Sequence, residues 1–206
     1  MANDLVLTEA PSLDSAEQRA RELGDLVERA RAGDAAAFEE IIRRHERRVL
    51  SMAVQMGLGR EDAQDAGQEI FLRVFRYLAG FQAGKNFEVW LWKIAVNVVY
   101  DFLRRRRDRG EISWETLQEG TVETLSAEST IHLQVENADL CARLLRQMGS
   151  LSKQERMVFV LREMQDLDTG QVARAMGIST ITVRRHAASA RQKLRRLLQG
   201  ILDRNS

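Results

Sequence analysis

The sequence predicts an all-α protein of two small helical domains joined by an acidic linker, and three observations carry that prediction. The 206 residues hold a single proline, Pro11, and only 6% aromatics, while the helix formers Ala, Leu, Arg and Glu are abundant. Apolar residues recur at helical spacing through several long segments. The charges, which nearly cancel to +1, are segregated along the chain. Arg104 to Arg107 form one basic block, and Arg184, Arg185, Arg191, Lys193, Arg195 and Arg196 form another. Between them Asp108, Glu111, Glu115, Glu119, Glu123, Glu128 and Glu136 are opposed almost only by Arg109. Local rather than total charge sets attraction to nucleic acid, so a neutral average does not argue against it.

Residues 1–22 are polar and net acidic, and are expected to form a loose extension. From Leu23 the chain alternates helices with short breaks. Asp34 is placed to cap a helix carrying Phe38, Ile41, Ile42, Val49, Met52 and Met56, which Gly57 and Gly59 end. Asp62 to Leu78 predicts a third helix, with Ala63, Ala66, Ile70, Phe71, Val74 and Phe75 inward and Asp65, Gln68, Glu69 and Arg73 opposite. The stretch Asn86 to Arg107 lacks Gly and Pro and predicts one helix roughly 33 Å long at 1.5 Å per residue. Leu91, Trp92, Ile94, Ala95, Val96, Val98, Val99, Phe102 and Leu103 fill its apolar arc, while Trp90, Lys93, Asn97, Tyr100, Asp101, Arg104 and Arg107 gather on the other. A face mixing cations, aromatics and amides suits a phosphate chain with exposed bases. These helices bury one another's apolar sides in a first domain spanning 23–108.

Residues 109–135 show no sustained period and a large acidic excess, and read as a linker with short anchors at Trp114 and Leu117. The second domain, 136–202, opens with a helix marked by Leu140, Leu144, Met148 and Leu151. It continues through SKQERMVFVLREM, where Ser152 and Glu155 have capping-box spacing. A short helix capped by Asp168 or Thr169 runs to Met176, Gly177 turns the chain, and Ser179 caps a long last helix. Small Ala173, the turn at Gly177 and the core plug Val183 together indicate a helix-turn-helix. In the last helix Val183, Ala187, Ala190, Leu194 and Leu197 form the buried stripe. Thr180, Ile181, Arg184, Arg185 and Ala188 are expected to face a major groove, where Arg pairs with guanine and Ile or Ala meets a thymine methyl. Thr182, Ser189, Arg191 and Lys193 flank them, suited to phosphate contacts.

Other chemistries are poorly supported. QAGKN at Gln82 to Asn86 lacks the spacing of a phosphate-binding loop. His45, His132 and His186 stand apart from any Cys pair or Glu cluster, so neither metal nor other cofactor is expected. No Ser-His-Asp or paired-carboxylate arrangement is visible, no pocket is obvious, and no catalysis is expected. The lone Cys141 suits a reducing compartment and a small buried apolar role. No apolar run approaches the ~18 residues of a membrane span, and the N-terminus lacks a signal peptide's basic and apolar regions. A cytoplasmic location is expected.

From residue 25 to about 200 the chain resembles the bacterial extracytoplasmic-function sigma factors, the minimal two-domain members of the sigma-70 family. The likeness rests on DAQDAGQEIFLRVF, NFEVWLWKIAVNVVYDFLRRRR and LSKQERMVFVLREMQDLDTGQVARAMGISTITVRRHAASARQKLRRLL, in that order. The resemblance implies that the first domain is sigma region 2. Asp65, Gln68, Glu69 and Phe71 then match the surface docking on core RNA polymerase. Asn97, Asp101 and Arg104, with the loop around Phe81 to Phe87, match the part capturing an unpaired base of the −10 element. The second domain is implied to be region 4, reading the −35 element, and an anti-sigma factor is an implied partner. The last helix departs from the family's S-R-x-H-R-A-R run by carrying His186, Ala187 and Ala188. Two other readings remain at the sequence level: a helix-turn-helix regulator working without polymerase, and a helical adaptor for acidic protein partners.

Overall fold

The computed structural model describes residues 13–109 and 147–202, and every regular element among them is helical. Four helices come first: α1 (Leu13–Arg31), α2 (Ala35–Gln55), α3 (Arg60–Leu78) and α4 (Phe87–Asp108). After a 3₁₀ turn at Met148–Ser150 come α5 (Lys153–Phe159), a π-helical turn (Val160–Met164), α6 (Thr169–Met176) and α7 (Thr180–Leu202). The proposed linker, its anchors Trp114 and Leu117, Cys141 and most of the helix expected before Met148 lie outside the described residues.

Local chemistry sets where most helices begin. Asp34, Asn86, Ser152 and Asp168 accept backbone hydrogen bonds from Ala37, Val89, Glu155 and Gln171, satisfying donors that a helix's first turn leaves open. Ser152–Glu155 and Asp168–Gln171 are reciprocal capping boxes. The Thr182 amide donates to Ser179 Oγ at 3.1 Å ahead of α7. Gly177 closes α6 at φ 66°, ψ 34°, the left-handed conformation that only glycine enters without a Cβ penalty.

One expectation about local structure fails. Residues 13–22, expected to be loose, belong to α1. Arg21 reaches Glu17 at 3.3 Å and Glu22 lies 3.8 Å from Arg44 of α2, exposed pairs that each add a few tenths of a kcal/mol at roughly helical spacing or across to the next helix. The segment SKQERMVFVLREM is not one uniform α-helix. After Phe159 it widens, so that the Gln165 amide donates to the Val160 carbonyl at 3.0 Å. Asp166 then takes φ 58° to leave the turn.

Helices α1 to α4 pack in sequence, and Ile41, Met52, Ile70, Leu91, Trp92 and Val98 are inaccessible to solvent at their centre. The crossing of α2 and α3 is close at Gly67, where a Cβ would lie 2.8 Å from Leu50 Cδ2. In the second unit Met157, Leu161, Val172, Val183 and Ala190 form the centre, with Ala173 buried beside the turn. Helix α6 packs directly on α4, joining the two units. Among the described residues no helix is long and apolar enough to cross a membrane.

Candidate nucleic-acid interface

The last helix presents the face expected of a recognition helix. Ile181 is 74% exposed despite being apolar, and Thr180, Arg184, Arg185 and Ala188 are exposed beside it. Val183, Ala187, Ala190 and Leu194 are buried beneath them. Arg184 and Arg185 enter no ion pair or hydrogen bond among the described residues, leaving two guanidiniums free for bases or phosphates.

The flanking residues behave differently. Ser189 Oγ donates to Glu155 Oε1 at 2.6 Å, and Lys193 Nζ donates to both oxygens of the same carboxylate at 2.8 and 2.9 Å. Arg191 pairs with Glu163 at 2.6 Å. Three residues expected to hold phosphates therefore tie α7 back to α5 and the π turn. Burial alone would raise the Glu155 carboxyl, but the hydrogen bonds from Lys193, Ser189 and Ser152 overrule it and hold it at about 2. The acid end of a capping box was legible in the sequence, whereas its partners 34 and 38 residues on were not. Thr182 is half-buried and hydrogen-bonded to Ser179, which leaves its hydroxyl part of the cap.

On α4 the polar arc is present but unequal. Lys93, Asn97, Arg104 and Arg107 are exposed. Asp101 is half-buried, bound to Arg104 at 2.9 Å and 3.8 Å from Arg73 of α3. Arg73 in turn holds Glu69 at 2.6 Å, so a charged chain links α3 to this face. Tyr100 departs from expectation: its hydroxyl is buried with no hydrogen-bond partner among the described residues, and burial pushes the phenol up to about 12. It can offer a ring edge but not a solvated hydroxyl. Within the arginine run, Arg106 turns inward to Asp62 at 3.4 Å and the Gly57 carbonyl at 3.2 Å. Arg105 lies over the Phe102 ring at 5.6 Å.

Trp90 sits in an aromatic cluster, its ring 5.0 Å from Phe81 and 5.6 Å from Phe87. Phe81, Val89, Trp90 and Lys93 line an open cleft of about 740 Å³ that Arg174 of α6 completes. A second cleft of about 590 Å³ lies between α1 and the loop before α4. A ring wall beside cations is a suitable seat for an unstacked base.

On α3, Asp65 and Gln68 are exposed and Glu69 is partly so. Phe71, expected in the same docking surface, is only 8% exposed and belongs to the core. Phe75, expected inward, is instead 65% exposed, packed edge-on against Phe38 at 5.1 Å. Leu72, three residues before Phe75 on the helix and 57% exposed, extends the same apolar surface. Both phenylalanines lie near the border of the helix's apolar stripe, where periodicity assigns neither side firmly.

Comparison with known proteins agrees with this architecture. The Sigma-70 region 2 family matches residues 41–109, and Sigma-70, region 4 matches residues 141–194. The chain is 35% identical over 170 residues to the ECF RNA polymerase sigma factor SigE of Mycolicibacterium smegmatis, covering 79% of this chain and 63% of that one. It is 30% identical over 186 residues to the ECF RNA polymerase sigma-E factor of Escherichia coli K12, covering 87% and 95%. Among solved structures, CnrH in complex with the cytosolic domain of CnrY aligns with a TM-score of 0.64 at 23% identity, over 86% of this chain and 97% of that one. The sigma factor RpoE in complex with the anti-sigma factor NepR from Bartonella quintana aligns with a TM-score of 0.62 at 21% identity, over 79% and 96%.

Proposed function

The chain belongs to the extracytoplasmic-function group of sigma-70-family RNA polymerase sigma factors, and from that premise we propose that it binds core RNA polymerase and directs it to specific promoters. Residues 23–108 act as the unit that docks on core polymerase and captures the −10 strand, 136–202 as the −35 reader, and 109–135 as the connection. The observation that carries the reading is the pairing, on one chain, of two different nucleic-acid faces. One is a recognition helix with Ile181, Arg184 and Arg185 exposed. The other is a helix face with Lys93 and Asn97 exposed beside an aromatic cleft at Trp90. A regulator working without polymerase needs only the first.

In this reading α7 enters the major groove of the −35 element, where Arg184 and Arg185 reach base edges and Ile181 and Ala188 meet methyl groups. Strand separation at the −10 element is driven by trapping an extruded base rather than by fuel. Trp90 supplies the stacking wall, Asn97 and Asp101 hydrogen bonds, and Lys93, Arg104 and Arg107 phosphate contacts. Asp65, Gln68 and Glu69, with Leu72 and Phe75, dock on polymerase. The chain performs no catalysis of its own, works in the cytoplasm, and is a target for an anti-sigma factor.

Purified chain added to core RNA polymerase on a promoter library should give specific transcripts and a stable complex with core; absence of both refutes the function. Asn97→Ala with Asp101→Ala should abolish open complexes while leaving core binding intact. Loss of core binding instead would reassign that face.

A further inference from the structure

Helices α3 and α4 are tied at the strand-capture face by four charged side chains in a row. On α3, Arg73 Nε donates to Glu69 Oε1 at 2.6 Å, one turn back. On α4, Arg104 Nη2 donates to Asp101 Oδ1 at 2.9 Å. Arg73 joins the two pairs across the crossing, its Nη1 lying 3.8 Å from Asp101 Oδ2. That separation makes an ion pair, not a hydrogen bond. The side chains of Arg73 and Asp101 are 27% and 29% exposed, against 64% for Arg104. The central pair therefore sits in the groove between the helices, and the outer guanidinium reaches solvent.

Each oxygen of Asp101 faces a cation, one from α4 and one from α3, so the carboxylate is held in a single orientation. A carboxylate offers about four acceptor positions, and those left over point to whatever arrives from solvent. The charge matters as much as the orientation. A lone carboxylate on a face that binds a phosphate chain would repel it. With Arg73 behind Asp101, the remaining N–H groups of exposed Arg104 can turn to a phosphate. The neighbouring arginines of α4 are committed elsewhere: Arg105 lies over the Phe102 ring at 5.6 Å, and Arg106 turns to Asp62 at 3.4 Å.

We propose that Arg73 is a positioning residue of strand capture: it fixes Asp101 as an oriented hydrogen-bond acceptor, which selects an exocyclic amino group on the trapped base. Adenine, cytosine and guanine carry such a group and thymine does not. Arg73 acts through Asp101 and touches no base itself. Without it, Asp101 keeps its charge and its bond to Arg104, but its second oxygen is free to swing with the exposed Arg104 side chain. The acceptor then loses its fixed direction, and direction is what distinguishes one base edge from another.

The inference rests on the function proposed above, and the test separates the two. Core RNA polymerase is saturated with the parent chain, Arg73→Ala or Arg73→Lys. Each holoenzyme is then titrated onto a fluorescein-labelled duplex whose −10 element, from a library-selected promoter, is single-stranded. Each amino-bearing base of that strand is replaced in turn by its analogue without the amino group: purine for adenine, hypoxanthine for guanine, 2-pyrimidinone for cytosine. For the parent, one replacement should weaken binding about tenfold, the size of one hydrogen bond to a charged group. Arg73→Ala should bind the unmodified probe about fivefold more weakly and keep no more than about twofold discrimination. Arg73→Lys restores the charge but not the planar guanidinium, so it should recover the affinity and not the discrimination. A merely structural role would weaken every probe equally. A parent that discriminates at no position, or a folded Arg73→Ala that discriminates as the parent does, overturns the inference. If Arg73→Ala fails to fold, Arg73→Lys decides, and discrimination equal to the parent's overturns it. A parent chain that forms no holoenzyme, or a holoenzyme that binds no probe, refutes the sigma-factor function and this inference with it. Probe binding without discrimination refutes the role of Arg73 alone.

Discussion

Replacing Glu155 tests how the recognition helix is held. Its carboxylate accepts from Ser189 Oγ at 2.6 Å, Lys193 Nζ at 2.8 and 2.9 Å, and the Ser152 amide at 2.9 Å, at a site 6% exposed. A hydrogen bond to a charged group contributes about 1.5–3 kcal/mol. The Lys193 side chain is 45% exposed, so its share falls to the ~0.5 kcal/mol of a solvent-screened pair. Losing the acid side of the capping box adds about 1 kcal/mol. Glu155→Ala should therefore lower stability by about 3 kcal/mol, read as a shift of the urea midpoint followed by helical circular dichroism. The pH dependence checks the same sum. The carboxyl titrates at 4.5 when unconstrained and at about 2 in the fold, a difference that corresponds to about 3 kcal/mol. Because the folded value is the lower one, the contribution is fully present above pH 4.5 and is lost as pH falls through about 2. The gap between parent and variant should be constant at neutral pH and close progressively below 4.5. A cost below ~0.5 kcal/mol, or a gap that persists unchanged at pH 2, would refute the reasoning.

Three further predictions follow from the same geometry. Arg184→Ala should weaken −35 duplex binding and reduce the salt slope by about one ion, whereas Lys193→Met, whose charge is taken up by Glu155, should leave the slope unchanged; equal slopes would reverse that assignment. Phe75→Ser removes an exposed ring, so stability should change by no more than about 1 kcal/mol. Core polymerase binding should fall about tenfold, the size of a modest interface anchor; unchanged binding to core would remove Phe75 from the docking surface. At Gly67, alanine need only displace the end of the Leu50 side chain and gains helix propensity, so thermal stability should shift by less than about 1 kcal/mol. Gly67→Leu should instead lose about 1–3 kcal/mol by overpacking the α2–α3 crossing, and equal melting temperatures for the two variants would contradict that close approach.

What the sequence alone determined is the part governed by contacts three and four residues apart. Asp34, Asn86, Ser152 and Asp168 cap their helices because a short polar side chain and the amide it satisfies are sequence neighbours. The helix-turn-helix, with Gly177 left-handed and Val183 buried, follows from the same local rules, as do the two faces of α4. Tertiary structure decided the rest, because a helical period says which residues share a face but not what that face meets. It buried the Tyr100 hydroxyl, turned Phe75 outward at the border of its helix's apolar stripe, and bound Ser189, Arg191 and Lys193 to acids of a preceding segment. It also placed Gln165 against Arg48 and Gln55, more than a hundred residues away in the chain, a pairing of polar side chains that no periodicity records.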